Sequence, residues 1–425
     1  MKTTTLAIAL LLGTLSATGC SRDAAPVAPT SVATQAQGLT ITPWPLPVEG
    51  GAQPDLVVAP DGRLLLSWVR KLGGRNALQY VAYAGAGRWE SAPKTIAIGT
   101  TLVANWADTP HIAMTDDGAL WAHWQQASGA GHAGDIWLTT SRDDGMHWAP
   151  PVKVNDDDTA TEHGFVALWP LRQDTLGIAW LDGRNMSTAA EHDDGKHDAK
   201  HDAGAMTLRS AGFDAYLRRS GEGELDAMTC ECCQTDIAMT GRGALLVYRD
   251  RSEGDIRDIR AARHDGSRWN TPKPVHNDGW KMAGCPVNGP AVDARGDAAV
   301  VAWYTAADDV PTLKIAHSAD AGDTFTAPVA LDTGVAVQGR ADVALDADAV
   351  WVAWLREDGS GQTLQLARYG PDLSRELQRV VVARLQGRGR ATGFPQLAVR
   401  NGIAYLVWTD VIDGGPQLRG ATITP

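Results

Sequence analysis

One strand unit recurs seven times along this 425-residue chain, and each copy ends on a large aromatic residue. A copy opens with a short apolar run, passes a turn that usually contains glycine, and closes with a second apolar run, as in Asp55–Gly62 followed by Leu64–Trp68. The aromatic residues that end the copies are Trp68, Trp124, Trp180, Tyr248, Trp303, Trp354 and Trp408. A pattern that recurs in this way along the chain indicates a supersecondary unit that must stack on its neighbours to bury its apolar faces.

Each unit also contains a second pair of apolar runs. We expect Leu78–Tyr83 to pair with Lys94–Ile98, and Leu313–His317 to pair with Ala327–Leu331. Four short strands per unit, stacked radially around a channel, are typical of a β-propeller. The pattern therefore predicts an all-β protein with four-stranded blades, with seven blades favoured and six as the alternative.

The last unit, from Phe394 onward, ends one strand short of a complete blade. The N-terminal run Leu39–Val48 is the natural donor of that strand. Pairing it with the last blade would close the ring and remove an exposed strand edge. Residues 38–425 are then expected to form a single propeller domain.

Composition restricts the partners of such a domain. The 45 glycines and 16 tryptophans of the whole chain suit short strands joined by tight turns. The net charge of −12 argues against nucleic acid as a partner, because phosphate binding needs a concentrated basic face. A small-molecule or glycan ligand and a monomeric state are the expectations that remain.

The N-terminus has the features of an export signal. Met1 and Lys2 precede the apolar run Leu6–Leu15, which is too short to span a hydrocarbon core of about 30 Å. The segment Leu15–Cys20 resembles a bacterial lipobox, which implies a signal peptide over residues 1–19 and diacylation of Cys20. Residues 20–37 would be a flexible tether. The chain is thus expected in the bacterial cell envelope, facing the periplasm or in the outer membrane, and held to the membrane through the lipid alone; an ordinary signal peptide is the alternative.

Two turns share the form Ser-x-Asp-x-Gly-x-x-aromatic, at Ser141–Trp148 and Ser318–Phe325. Degenerate copies end at Trp89 and Trp269. Through these Asp-box (BNR) turns, the chain resembles the sialidase superfamily and other Asp-box propellers over most of residues 39–425. The motif holds a turn in the blade and indicates fold rather than chemistry.

The resemblance does not extend to the catalytic residues of sialidases. Those enzymes clamp the substrate carboxylate with three arginines and use a Tyr nucleophile with a Glu partner and an Asp acid/base. Their first unit opens with Arg-Ile-Pro, whereas this chain has Gln53-Pro-Asp55. Tyr248 occupies a repeating core position and is expected to be packed rather than nucleophilic. No catalytic residue is therefore carried over from the family.

The repeat also predicts which residues share one mouth of the channel, because inner strands begin and second strands end at the same face. The starts of the inner strands give Asp55, His111, His163, Asp236, Asn288, Arg340 and Gln396. The exits of the second strands give Arg70, Asp182, Arg184, Asp250, Arg251, Arg356 and Asp410. Such convergent groups are the default ligand site. The candidate ligand-binding residues are Arg70, His111, His163, Arg184, Arg251, Arg340 and Arg356. The alternative is that these charges pair with one another and tie the blades together.

Four cysteines enter the same face from adjacent units: Cys230, Cys232, Cys233 and Cys285. In an oxidising compartment an even number of cysteines favours disulfides. Cu(I) or Zn(II) is the other interpretation, because both ions accept soft thiolate ligands. The His-rich insertion Glu191–Asp202 is either a further metal-collecting tract or a solvated loop.

Three functions are compatible with these residues. The first is an envelope-anchored propeller that binds a small anionic or metal-containing ligand at the channel mouth. The second is an exo-acting glycoside hydrolase of sialidase type on acidic sugars, with Asp182 or Asp250 as acid/base. The third is a non-catalytic protein-interaction scaffold.

Overall fold

The computed structural model describes residues 34–36, 38–186 and 204–425. Ala33–Pro425 form one compact unit. The regular structure of the described residues is β-strand, with three short 3-10 helices at Arg184–Met186, Ala307–Asp309 and Gly389–Thr392. No helix in the described ranges has the length and apolarity that crossing a membrane requires. The predicted signal peptide, Cys20, most of the tether and the His-rich insertion lie outside the described residues.

Seven sheets form the blades, which we number in chain order by their innermost strands. Blade 1 contains β3 (Ala52–Val58), β4 (Leu64–Leu72), β5 (Arg75–Gly85), β6 (Arg88–Trp89) and β7 (Lys94–Gly99). Blade 2 contains β8 (Ile112–Met114), β9 (Leu120–Ala127), β10 (Gly134–Ser141) and β11 (Val152–Lys153). Blade 3 contains β12 (His163–Arg172), β13 (Thr175–Asp182), β14 (Thr207–Phe213) and β15 (Arg219–Asp226). Blades 4 and 5 contain β16 (Asp236–Thr240), β17 (Gly243–Arg249), β18 (Ile259–His264) and β19 (Lys273–His276); and β20 (Ala291–Arg295), β21 (Ala298–Thr305), β22 (Thr312–Ser318) and β23 (Val329–Thr333). Blade 6 contains β24 (Val337–Leu345), β25 (Val350–Asp358), β26 (Gly361–Tyr369) and β27 (Glu376–Leu385). Blade 7 contains β28 (Gln396–Arg400), β29 (Ile403–Ile412) and β30 (Gly415–Thr424), and β2 (Leu39–Pro43) and β1 (Thr34–Ala36) complete its sheet.

The innermost strands of successive blades contact one another all the way around, from β3 through β28 and back to β3. The ring closes where β2 pairs antiparallel with β30, with Ile41 opposite Ile423. Leu39 is fully buried at this seam. The predicted seven-bladed propeller and its closure by the N-terminal strand are both confirmed.

The seven repeating aromatic residues lie in the second strand of each blade and are all buried. Several of them also make a polar contact at the mouth end of the blade. The indole Nε1 of Trp303 donates to Asp278, and that of Trp354 donates to Asp332, each at 2.7 Å. The hydroxyl of Tyr248 donates to Asp226 at 2.5 Å in the corresponding place. The aromatic therefore ties the second strand to a carboxylate at or just after the end of the outer strand of the preceding blade.

The two Ser-x-Asp-x-Gly turns share one hydrogen-bond pattern. In the first, the Ser141 hydroxyl donates to Asp143 at 2.9 Å and accepts from the Gly145 N–H at 2.9 Å. In the second, Ser318 makes the same two bonds with Asp320 and Gly322 at 2.8 and 2.9 Å. Glycine is needed at the fifth position of the turn because φ of Gly145 is +72° and a Cβ there would lie 2.0 Å from the Tyr80 hydroxyl.

Aspartates on or just before the inner strands join neighbouring blades. Their carboxylates accept backbone N–H groups from the inner strand of the next blade at 2.6–2.8 Å. The pairs are Asp55 with Ile112, Asp108 with Phe165, Asp236 with Val292, Asp293 with Leu345, and Asp342 with Leu397. Burial raises the pKa of Asp108 and Asp236 to about 7, and that of Asp293 to about 6, against the hydrogen bonds that favour the ionised form.

Candidate functional site

The mouth of the channel is the face where the inner strands begin, and loops from distant blades meet across it. Trp106, in the loop before blade 2, stacks on Phe394 from the loop before blade 7, with ring centroids 5.9 Å apart. The guanidinium of Arg340, on the inner strand of blade 6, lies 4.7 Å above the Trp106 ring. From blade 4, the side chain of Gln234 donates to the Ala107 carbonyl at 2.6 Å. Because blades 2, 4 and 6 are not neighbours, these contacts cross the channel and cover its centre.

Three of the predicted ligand-binding arginines are bonded to carboxylates of the protein. Such pairs leave few guanidinium donors for an anionic ligand. The pairs are Arg184 with Asp182 at 2.8 Å, Arg251 with Glu231, and Arg356 with Asp332 at 2.5 Å. Arg356 shares Asp332 with the Trp354 indole, so it belongs to the polar contact that recurs among the blades.

Arg340 is buried and is bound by the backbone rather than by a carboxylate. Its Nη1 donates to the Gly389 carbonyl at 2.6 Å, and the ring of Trp106 covers its face. Burial lowers the pKa of Arg340 to about 10. The guanidinium therefore holds the 3-10 turn before blade 7 against the mouth.

Arg70 differs from the other predicted arginines. Its ion pair with Glu49 is long, at 3.8 Å, and the Glu49 side chain is 92% exposed. Arg70 lines a groove of about 440 Å³ beside blade 1, together with Trp68 and Gln79. Its guanidinium is therefore available to a ligand in this groove.

His111 lies against the blade-joining aspartates. Its Nδ1 is 3.0 Å from Asp55 Oδ1. Burial opposes the charged form, but the Asp55 carboxylate together with the charges of Asp236 and Asp108 outweighs burial and raises the pKa of His111. The His123 ring lies 5.4 Å from that of His111, and burial together with the His111 charge lowers the pKa of His123. His111 is therefore a partner of Asp55, one of the blade-joining aspartates.

The four cysteines meet at the mouth, beside the inner strands of blades 4 and 5. None forms a disulfide. The sulfurs of Cys230, Cys232 and Cys233 all lie within 4.8 Å of one another, and those of Cys230 and Cys233 are 3.1 Å apart. Cys285 lies close enough to Cys232 for the two side chains to interact. Cys230 and Cys233 are buried, whereas Cys285 is exposed.

The surroundings of this thiol cluster favour one negative charge. Hydrogen bonds with Cys232 and Cys233, together with the charge of Arg249, lower the pKa of Cys230. The hydrogen bond with Cys230 raises the pKa of Cys232, and burial raises that of Cys233. The backbone N–H of Asn288 points at Cys233 Sγ from 3.5 Å. One thiolate is therefore stabilised by its neighbours, while further ionisation requires a cation.

His163 and Asp182 face each other on the first two strands of blade 3. Both side chains are fully buried. His163 Nε2 lies 3.6 Å from Asp182 Oδ1 and 3.1 Å from Asp157 Oδ1. Asp157 comes from the loop between β11 and β12, and no repeating position in the sequence indicates it.

Asp250 lies at the exit of β17, next to the Tyr248 hydroxyl contact. Burial and the neighbouring Asp226 charge raise its pKa, while Arg260, 2.6 Å away, favours the ionised form. Tyr248 itself is fully buried. Its bond to Asp226 matches the indole bonds of blades 5 and 6, which supports packing rather than nucleophilic attack.

Comparisons with known proteins bear on the fold. No protein-family model matches this chain, and no curated protein matches it. Among solved structures, polysaccharide lyase Uly1 is 9% identical with a TM-score of 0.54, covering 88% of this chain and 90% of its own. NanB sialidase from Streptococcus pneumoniae is 8% identical with a TM-score of 0.44, covering 93% and 85%. The GH93 α-L-arabinofuranosidase of Fusarium graminearum is 11% identical with a TM-score of 0.45, covering 88% and 92%. At such identities the likeness concerns the fold alone.

Proposed function

We propose that this propeller binds one soft metal ion, Cu(I) or Zn(II), at the channel mouth through Cys230, Cys232 and Cys233, with Cys285 as the fourth ligand. The observation that carries the proposal is that three sulfurs, none of them in a disulfide, lie within 4.8 Å of one another. Thiolates are the preferred ligands of Cu(I) and are common ligands of Zn(II).

The spacing of the sulfurs suits such an ion. Zn–S bonds of about 2.3 Å in a tetrahedron place sulfurs roughly 3.8 Å apart, inside the observed limit. Three ligands come from one short loop and the fourth from the loop that enters the next blade. Exposed Cys285 gives the ion a route from solvent to the buried sulfurs.

Cationic side chains and a backbone donor support the thiolates. The charge of Arg249 favours the Cys230 thiolate, and Arg257 interacts electrostatically with the same sulfur. Arg257 also pairs with Glu231 at 2.7 Å, which fixes its position. Hydrogen bonds of this kind around a metal site orient the ligands and adjust their basicity.

Elemental analysis and thiol titration of the protein, purified from the periplasm without added metal, test the proposal. We expect one equivalent of metal and protection of the cysteines from a thiol reagent. Cys233→Ser should lose the metal, whereas Met146→Ser, at an exposed residue in a turn of blade 2, should keep it. Two disulfides with no stoichiometric metal would overturn the proposal.

A second candidate function is action on an acidic sugar, and the groove beside Arg70 is the observation that favours it. A guanidinium next to an aromatic wall suits a carboxylated sugar. Asp250, whose pKa is raised, lies on blade 4 and outside the lining of this groove, so it is not assigned as the proton donor there. Hydrolysis of a fluorogenic sialoside, abolished in Arg70→Ala, would support this function. Absence of both hydrolysis and uronate-oligosaccharide binding by the unaltered protein would remove it.

We also propose that the chain is exported and anchored in the bacterial cell envelope by diacylation of Cys20. The support is the short apolar run followed by Leu15–Cys20. Labelled palmitate should be incorporated into the unaltered chain and not into Cys20→Ala. Equal labelling of the two would contradict the anchor.

A further inference from the structure

The geometry points to a second, harder cation site on the mouth side of blade 3. We propose that Asp157, His163 and Asp182 bind a divalent ion of borderline hardness, such as Zn²⁺. The three ligand atoms lie within 4.8 Å of one another. This site shares no residue with the thiol cluster and stands independently of the proposed function.

The tautomer of His163 is determined by its hydrogen bond. Its Nδ1 lies 2.9 Å from the carbonyl oxygen of Gly134. A carbonyl can only accept, so Nδ1 carries the proton, and in the neutral imidazole Nε2 is then left with a lone pair. The imidazole is fully buried, and Nε2 has no hydrogen-bond partner. A backbone acceptor on Nδ1 is the usual arrangement for a histidine that binds metal through Nε2.

The groups that face Nε2 are also electron-rich. Asp157 Oδ1 is 3.1 Å away and Asp182 Oδ1 is 3.6 Å away. Lone pairs of a neutral imidazole and two carboxylates repel one another unless a metal ion or a proton lies between them. Zinc bonds of about 2.1 Å in a tetrahedron place ligand atoms roughly 3.4 Å apart, a value that the two distances bracket.

Both carboxylates are held in place by further donors. The Trp180 indole donates to Asp182 Oδ2 at 2.8 Å, and Arg184 Nε donates to Oδ1 at 2.8 Å. The Asn155 amide donates to Asp157 Oδ1 at 3.2 Å, and the Thr159 hydroxyl donates to Asp157 Oδ2. The ligand oxygens are therefore oriented before an ion arrives.

The ion-pair network around the site carries an excess of negative charge. Carboxylates outnumber guanidiniums in the ion-pair network: Asp156, Asp157, Asp182 and Glu222 face Arg184, Arg209 and Arg219. A bound divalent ion or a second proton on His163 would each compensate the excess. The experiment must distinguish these two occupants.

Titration of the metal-stripped protein with Co²⁺ separates this site from the thiol cluster, because sulfur-to-metal charge-transfer absorption marks only thiolate ligation. We expect one equivalent of Co²⁺ that lacks this absorption. It should persist in Cys233→Ser and disappear in His163→Gln and in Asp157→Asn. His147→Gln, which alters an exposed histidine paired with a single carboxylate at 2.6 Å, should leave it unchanged.

Nitrogen NMR of the unaltered protein provides a readout that does not depend on the folding of a variant. A single protonated ring nitrogen in His163, and a shift of Nε2 on adding Zn²⁺, would support the metal site. Protonation of both ring nitrogens at neutral pH, with no uptake of Co²⁺ outside the cysteines, would overturn it and identify an imidazolium.

Discussion

Asp108 offers a sharp test of how the blades are joined. Its Oδ1 accepts the Phe165 N–H at 2.8 Å, while its Oδ2 is buried without a hydrogen-bond partner. Burial raises the pKa of Asp108 to about 7 from an ordinary value of 3.8. Asp108→Asn keeps an acceptor for Phe165 and removes the titration, whereas Asp108→Ala removes both.

The sign of the pH effect follows from the raised pKa. The folded state holds the proton more tightly than the unfolded chain, so the stabilisation is complete below pH 4 and is lost as the pH rises to about 7. A difference of about three pKa units corresponds to at most about 4 kcal/mol, at about 1.4 kcal/mol per unit. Asp108→Asn should therefore gain stability relative to the unaltered protein as the pH rises from 4 to 8.

Urea denaturation at several pH values measures this difference directly. Asp108→Ala should cost about 1–3 kcal/mol at low pH, because the Phe165 N–H loses its acceptor. Asp348→Asn, at an exposed position, controls for the loss of one carboxylate. If the difference between Asp108→Asn and the unaltered protein is flat from pH 4 to 8, burial does not keep this carboxyl neutral and the reasoning fails.

Two further substitutions test the blade packing by thermal or urea denaturation. Gly145→Ala should cost about 2–5 kcal/mol, because it adds left-handed backbone strain and a clash with the Tyr80 hydroxyl. Gly118→Ala, with φ of +83° but open space around it, should cost only about 1–2 kcal/mol, and equal losses would exclude the clash. Trp354→Phe should cost about 2 kcal/mol more than Trp68→Phe, because only the Trp354 indole donates to a carboxylate at the end of β23. Matching losses would show that the indole bond adds nothing.

The aromatic repeat predicted the blades because it reports a local requirement that every blade shares. Each second strand needs one large side chain against its neighbours, so Trp68 and Trp408 mark the same position at opposite ends of the chain. The missing strand of the last unit likewise predicted that the N-terminal run pairs with the last blade, and the structure places Ile41 opposite Ile423 in that pairing. The sequence placed Asp55 and Asp236 at the mouth, but the hydrogen bonds of the blade-joining aspartates could not be predicted, because their donors are backbone N–H groups of another blade. Asp108 lies outside any strand, so no strand pattern could have indicated its role.

The candidate site also contains residues that the sequence predicted and residues that it could not predict. The thiol cluster could be predicted because three of its members are nearly adjacent in sequence and the fourth enters the next blade. The sequence placed His163 and Asp182 at the same mouth, and the strand register sets them opposite each other. Asp157 could not be found, because its approach to His163 depends on the path of the loop after β11. The partners of the arginines were equally hidden, since carboxylates such as Glu231 come from loops rather than from repeating positions.

Whether the donors and the lone pairs at the mouth are already bonded within the protein bears on which kind of ligand they can bind. An anion needs unpaired donors, but Arg251 and Arg356 are bonded to carboxylates and Arg340 is bonded to backbone carbonyls. A cation needs lone pairs without donors, and the mouth provides these in the thiols beside Cys230 and in the Nε2 atom of His163. Arg70 apart, the uncompensated groups among the described residues of the mouth are thus mostly Lewis bases. Arginines that suggested an anion site in the sequence are bonded in the structure to carboxylates, as Arg251 is, or to backbone carbonyls, as Arg340 is, and this arrangement supports the proposed cation sites.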